Sequence, residues 1–282
     1  MKRAIILILF VSFTALGCGD SNWFKSFHKA GSSSDVESLS ADADVALLNK
    51  DFGAALNFYE QILDKDPNNS EALYGASAAW LGAAGFDVAS IISNIMTNQD
   101  KVGSPVLPQM LAISQGVSKH STGDFLPSDM DWDALQTATA QAIIYLRQIA
   151  AGNTDGVIPA NNSNVRVNLI VCLVLNSIIR LVDLDGDGDV DNDPQDPVTI
   201  ASNYTISYDD DKFDAIKQAK ALVILNDFYN VIIDEIVLHF DALLAAYQVD
   251  TGDAIGELKT DINTTFKAEV AEAIAHIEGL TF

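Results

Sequence analysis

A self-similarity with a period of 34 residues is the strongest constraint on how this chain can fold. Phe52 recurs as Phe86, Ala55 as Ala89 and Leu39 as Leu73, and Trp80 stands thirty-four positions after Ala46. A period of that length implies stacked helix pairs, because one pair cannot bury its apolar face alone. Small residues at Ala55 and Ala89 let neighbouring helices approach, Tyr59 and Trp80 fill the gap, and Pro67 stops a helix. The pattern covers about one and a half units. Asn98-Gln99-Asp100-Lys101 then stands where a second Asp-Pro turn belongs, and no third unit follows. Fewer than three units do not make a free-standing stack, so the pair is expected to dock on the helices that come after it.

The stretch Asp51 to Tyr59, followed by Ile62 to Asn69, resembles the second helix and terminal turn of a tetratricopeptide repeat. A following unit begins at Glu71-Ala72-Leu73-Tyr74 and continues through Trp80-Leu81-Gly82 to Phe86-Asp87-Val88-Ala89. The resemblance spans Val36 to Met96. It implies a protein-interaction scaffold whose groove is lined from the first helix of each unit, here by Glu71, Tyr74, Ala78 and Leu81.

Beyond Gly103-Ser104-Pro105 and Pro108 the pattern stays helical. Trp132 to Ala150 places Leu135, Ala138, Ala142, Ile143 and Leu146 at helical spacing, with Asp129 to Asp133 near the N-terminus, where acids are favourable. Gly152 to Asn164 is a loop. Val165 to Val182 is apolar almost all round, with Arg166, Asn176, Ser177 and Arg180 on one narrow stripe. It is read as the central buried helix rather than a membrane span, since the stretch between its arginines is short and contains Asn168 and Asn176. Lys212 to Gln248 offers Ile216, Ala219, Val223, Phe228, Ile232, Ile236, Phe240 and Leu244 to a core, and Gly252 ends it. Ala254 to Glu278 forms a last, more polar helix through Leu258, Ile262, Phe266, Val270 and Ile274, and Pro197 to Tyr208 has room for a short hairpin. The expected fold is all-α: helical repeats over 35–100 packed on a helical bundle over 105–282.

Thirty-nine acids against sixteen bases give a formal charge of −23, which excludes a nucleic-acid binder because such a surface repels phosphate. Hydrophobic residues make up 49% and charged ones only 20%, too apolar a mixture for a disordered chain. Cys18 and Cys172 are the only cysteines, so no disulfide framework supports the fold. Lys2-Arg3, the apolar run Ala4 to Phe13, and Thr14 to Cys18 have the order of a secretory signal. That run falls short of the roughly twenty apolar residues of a permanent span. Gly17 before Cys18 resembles the lipobox of bacterial lipoproteins, although Ala15 and Leu16 depart from its usual order. The resemblance implies cleavage before Cys18, lipidation of its thiol and an envelope location. With Gly19 next, it implies the periplasmic face of the outer membrane. Residues 18–34 then form a tether whose Trp23, Phe24, Phe27, Lys25 and Lys29 either sit among lipid headgroups or simply link the anchor to the body.

Between Asp183 and Asp196 there are seven aspartates, and no base occurs between Arg180 and Lys212. Such charges repel one another unless a cation neutralises them. Asp183, Asp185 and Asp187 fall at positions one, three and five of an EF-hand loop, Gly188 at the sharp turn, Asp189 at the carbonyl position and Asp191 at the water-mediated one. The glycine at Gly186 makes the segment resemble a dockerin calcium loop. Pro194 occupies the place of the usual bidentate acid, which leaves Asp193 or Asp196 to substitute. Oxygen-only ligands favour Ca2+ over zinc, in a structural role. His28, His120, His239 and His276 are dispersed and form no metal or nucleophile pattern, and Asp234-Glu235 is a local run. Nothing in the chain points to an enzyme. The expected function is therefore a lipid-anchored envelope scaffold that binds an unknown envelope protein or peptide. The alternative is a solute-binding accessory lipoprotein of a transporter, of the type associated with TRAP systems, with a pocket lined by Arg166 and Arg180.

Overall fold

The computed structural model describes residues 34–86, 131–184, 197–200, 206–246, 255–257 and 259–282. In chain order these form α1 (Ser34–Leu48), α2 (Phe52–Lys65), α3 (Ser70–Ala83), α4 (Trp132–Ala150), α5 (Ser163–Val182), β1 (Val198–Ile200), β2 (Ile206–Tyr208), α6 (Ala215–Asp227), α7 (Ile233–Ala246) and α8 (Lys267–Glu278). The described chain is overwhelmingly helical, as expected. Its two short strands make the anticipated hairpin, antiparallel with Val198 opposite Tyr208 and Ile200 opposite Ile206.

Local chemistry sets the helix starts. Asp51, Asn69, Asp131, Asn162 and Asp214 each cap a helix, their side-chain oxygens accepting from free backbone N–H groups of the first turn. Asp214 is held below the ordinary carboxylate range chiefly by the backbone N–H of Lys217. Stops are equally local: Pro67 follows the end of α2, and Gly152 takes a φ of 73° just after α4, a conformation that only glycine adopts cheaply.

α5 is the centre of the larger core. Thirteen of its residues are buried, on nearly every side of the helix. By length and composition it could cross a membrane, yet 72% of the relevant window lies buried inside the protein. α4 covers one side of it with Leu135, Ala138, Ala142, Leu146 and Ile149, and α6 and α7 cover another with Leu225, Phe228, Ile236 and Phe240. Asn176, an exception in the apolar pattern, is satisfied by donating to Gln136 O at 3.1 Å and Thr139 Oγ1 at 3.0 Å. Cys172 is fully buried and its thiol is pushed up to about 12, so it packs as a small inert hydrophobe.

α6 and α7 form one continuous helix joined by a π-helical segment, Phe228–Ile232, and a second π segment, Ile262–Phe266, leads into α8. The two segments meet through an edge-to-face contact of Phe228 and Phe266 at 5.3 Å. The structure corrects the expected stripe in α6. Ile216, Ala219 and Val223 are exposed, and Ala221 and Leu225 take the core side instead, whereas Phe228, Ile232, Ile236 and Phe240 are buried as expected. The buried positions Ala221, Leu225, Phe228, Ile232, Ile236 and Phe240 follow one another at steps of three and four through the π segment, whereas the expected stripe takes a five-residue step from Val223 to Phe228.

α1, α2 and α3 have a smaller core of Ala43, Ala46, Ala55, Tyr59, Ile62, Ala72, Ala76 and Ala79. Its close packing has a specific cause. A Cβ at Gly75 would lie 2.2 Å from the Tyr59 ring, and one at Gly82 would lie 2.3 Å from the Phe52 ring. Two aromatics seven residues apart on α2 thus fill two glycine notches seven residues apart on α3, which fixes an antiparallel register. The Tyr59 hydroxyl donates to Asp44 on α1 at 3.2 Å, and burial, reinforced by that carboxylate, pushes the phenol well above its ordinary range.

Replacing Gly75 or Gly82 by Ala should each lower stability by about 1–3 kcal/mol through overpacking. Ala at Gly53, whose Cβ position is open, should raise stability by about 0.4–1 kcal/mol. Urea unfolding followed by circular dichroism measures all three.

Candidate functional site

The four residues expected to line a groove lie on α3, the helix that bridges the two cores. Leu81 is 2% exposed and belongs to the core built around α5. Tyr74 packs against the same core, its hydroxyl accepts from Asn168 Nδ2 of α5 at 3.3 Å, and burial raises its phenol. Glu71 Oε1 accepts from the backbone N–H of Val157 at 2.8 Å, and its Oε2 accepts from the Ser70 hydroxyl at 2.8 Å. Ala78 is half-buried. This face of α3 is therefore turned mainly toward the chain's own later segments. The reason is physical: α1 to α3 alone leave a face of α3 uncovered, and α4, α5 and the loop after α4 cover it.

That docking is stitched by polar contacts between two loops. Ser70 N donates to Asp155 O and Asp155 N to Asn68 O, each at 2.8 Å, and Gln148 Nε2 donates to Pro67 O at 3.0 Å. Ser70 Oγ accepts from Ile158 N at 3.1 Å. Gly156 makes the approach possible. Its φ is 119°, and a Cβ there would fall 2.1 Å from Glu71 Oε2.

Of the expected calcium ligands, Asp183 lies among the described residues, whereas Asp185, Asp187, Asp189, Asp191, Asp193 and Asp196 lie outside them, as does Cys18. Asp183 is buried at the C-cap of α5, its backbone N–H donating to Ile179 O at 3.0 Å. α5 therefore ends one residue before position one of the loop pattern, where an entering helix should end. Lys220 Nζ donates to Leu184 O at 2.9 Å, tying the start of the loop to α6. Among the described residues no group of three or more His, Cys, Asp or Glu side chains converges as metal ligands do.

The most concentrated polar arrangement was not expected from sequence. Arg147 of α4 grips Glu235 of α7 with both arms, Nε to Oε1 at 2.8 Å and Nη2 to Oε2 at 2.5 Å. His239, one turn on and 5% exposed, places Nε2 at 3.7 Å from Glu235 Oε1, an electrostatic contact too long for a hydrogen bond. On its other side His239 Nδ1 lies 2.9 Å from Arg166 Nη1 of α5. A guanidinium cannot accept, so Nδ1 is the acceptor and Nε2 carries the proton in the neutral ring. His239 Nε2 and Arg166 Nε have no hydrogen-bond partner among the described residues. The chain Arg147–Glu235–His239–Arg166 thus joins α4, α7 and α5 through one carboxylate. Burial alone would raise the Glu235 carboxyl, but His239 and Arg147 outweigh it and hold the group at about 2. The legible sign was a Glu–His pair four apart on one helix, whereas Arg147 lies 88 positions away and carries no sequence signal.

Arg166 is thus engaged with His239 and is not among the residues that line the cavity beside α5. A cavity of about 20 Å³ beside α5, lined by Ser177, Ile178, Leu181, Leu225, Phe228 and Phe266, has volume for a single water but walls that are apolar. No family model, curated protein or solved structure matches this chain.

Glu235 is lowered from an ordinary 4.5, so its stabilisation is complete above that value and disappears as pH falls toward about 2. Glu235→Gln should therefore reduce stability at neutral pH and flatten the loss of stability between pH 4.5 and 2. Urea unfolding across that range checks both effects.

Proposed function

We propose that this chain is a lipid-anchored protein of the bacterial cell envelope that acts as a non-catalytic interaction scaffold and carries a structural calcium site at the end of α5. The observation that carries the reading is the run of antiparallel helices α1 to α3, locked by aromatic rings in glycine notches and continued by α4. Such an array presents rigid helix faces to a protein or peptide. Its repeat character rests on the 34-residue period and the tetratricopeptide resemblance, and its anchoring rests on the lipobox at Cys18.

Partner contact at the expected groove depends on what α4 and α5 leave open. Glu71 and Ala78 remain partly accessible, whereas Leu81 is committed to the core. The transporter-accessory reading receives no support from the engaged Arg166 or from the small apolar cavity.

For the metal, Asp183 would supply the first ligand and the aspartates up to Asp196 the remainder. When bound, Ca2+ would neutralise the loop and tie it to α5, and any ligand that binds only the folded state raises the melting temperature. The melting midpoint should therefore rise with added calcium and fall on chelation, and an unchanged midpoint rejects a structural site. Photo-crosslinking from Ala78 in intact envelopes should capture a discrete envelope protein. Capture of a small solute, or of nothing, removes the scaffold reading.

A further inference from the structure

We infer that the contact of Arg166 with His239 is an acid-sensitive latch between α5 and α7, closed while the His239 ring is neutral and opened when the ring takes a second proton. The inference is independent of the function proposed above. Arg166 Nη1 of α5 lies 2.9 Å from His239 Nδ1 of α7. A guanidinium only donates, so this contact exists only while Nδ1 keeps its lone pair. A proton taken from solvent at Nδ1 sets donor against donor and cation against cation. His239 is 5% exposed, so water screens that repulsion poorly. Nothing offsets it on the arginine side. Among the described residues no carboxylate lies within ion-pairing distance of Arg166, and its Nε is buried without a hydrogen-bond partner.

The charged groups around the ring decide what replaces the contact. Glu235, one turn earlier on α7, places Oε1 at 3.7 Å from His239 Nε2, and Arg147 of α4 holds the same carboxylate. Asp227, at the end of α6, is felt by Arg147. Asp234 and Asp241 of α7 are engaged by Lys267 and Lys259. The π segment Ile262–Phe266, which packs on α7, carries no charged residue, and Tyr229 of the segment Phe228–Ile232 lies under Lys267. The imidazolium is therefore attracted by Glu235 and repelled by Arg166. Histidine is the side chain whose charge changes between about pH 5 and 8. Glu235, held at about 2, stays ionised throughout that range, and both arginines stay charged, so His239 is the one member of the four that changes. On acidification the ring passes from a bridge between Arg166 and Glu235 to a second cation on Glu235 beside Arg147. Arg166, half-buried, leaves for solvent. The polar tie from the first turn of α5 to α7 is lost, while Arg147 keeps α4 on α7.

Histidine nitrogen NMR of the full chain across that pH range tests the latch, with His239 assigned from the spectrum of His239→Gln. At the upper end Nδ1 should be bare and Nε2 protonated. At the lower end both should carry protons, and the Arg166 Nε–H should exchange with water about tenfold faster. Arg166→Met should raise the pH at which the ring titrates, because a repelling cation is gone, and Glu235→Gln should lower it, because the attracting charge is gone. A double-mutant cycle of Arg166→Met with His239→Phe, read by urea unfolding, should show about tenfold mutual stabilisation at the upper end, as for a hydrogen bond to a charged group, and none at the lower. A ring already protonated at Nδ1 at the upper end overturns the inference, as does one that stays neutral across the range. So does a titration that Arg166→Met leaves in place, or a coupling that is the same at both ends. The spectra of the unaltered chain decide the matter where a variant does not fold.

Discussion

The burial of α5 is the constraint on which the described structure depends. A helix apolar on nearly its whole circumference has no side to give to water, and each exposed Leu, Ile or Val would forfeit about 1.5–3 kcal/mol. The rest of the bundle therefore closes around it. α4 packs along one side, α6 and α7 along another, and α3 reaches it through Tyr74 and Asn168. The few polar groups on α5 mark the boundaries between these neighbours. Asn168 meets α3, Asn176 meets α4, and Arg166 meets α7. These three are placed where a partner helix supplies an acceptor or a donor, whereas the Ser177 hydroxyl donates back to Leu173 O of α5 itself.

Shape controls the N-terminal helices in a different way. Their core is mostly alanine, which brings backbones close but contributes little apolar area per residue. Specificity comes instead from Tyr59 and Phe52, whose rings occupy the space that side chains at Gly75 and Gly82 would fill. A one-residue slip of α2 on α3 would drive both rings into neighbouring side chains, so the notches act as a register lock. The same helices cannot stand alone, and the hydrogen-bonded junction of Asn68 to Glu71 with Asp155 to Ile158 fastens them to the bundle.

Electrostatics here joins helices more than it stabilises surfaces. Arg147, Glu235, His239 and Arg166 come from three helices: Arg147 and His239 approach one carboxylate, and Arg166 joins through His239. Breaking one such contact strands charges that are partly withdrawn from water, which costs more than the net worth of the intact pair. On the same helix, Asp234 and Asp241 of α7 pair with Lys267 and Lys259 of the C-terminal segment. Those pairs are largely exposed on the acid side and contribute modestly.

Features carried by short-range pattern were legible before any coordinates. The all-α class, the span and burial of α4 and α5, the hairpin at Val198 to Tyr208 and the halt at Pro67 follow from periodicity and from residues that stop or cap a helix within a few positions. The phase of α6 was not legible, because apolar residues stand on more than one of its sides: Ile216 and Val223 compete with Ala221 and Leu225 for the core, and local composition does not choose between them. The engagement of Tyr74 and Leu81 by the later helices, and the meeting of Arg147 with Glu235, were also beyond reach of the pattern. They join positions tens of residues apart whose pairing exists only once the helices have packed. Sequence by itself determined which segments are helical and which faces must leave water. Tertiary structure decided which of those faces meet each other, because apolar burial is non-directional and only the close fit of particular rings, notches and charges selects one partner among several.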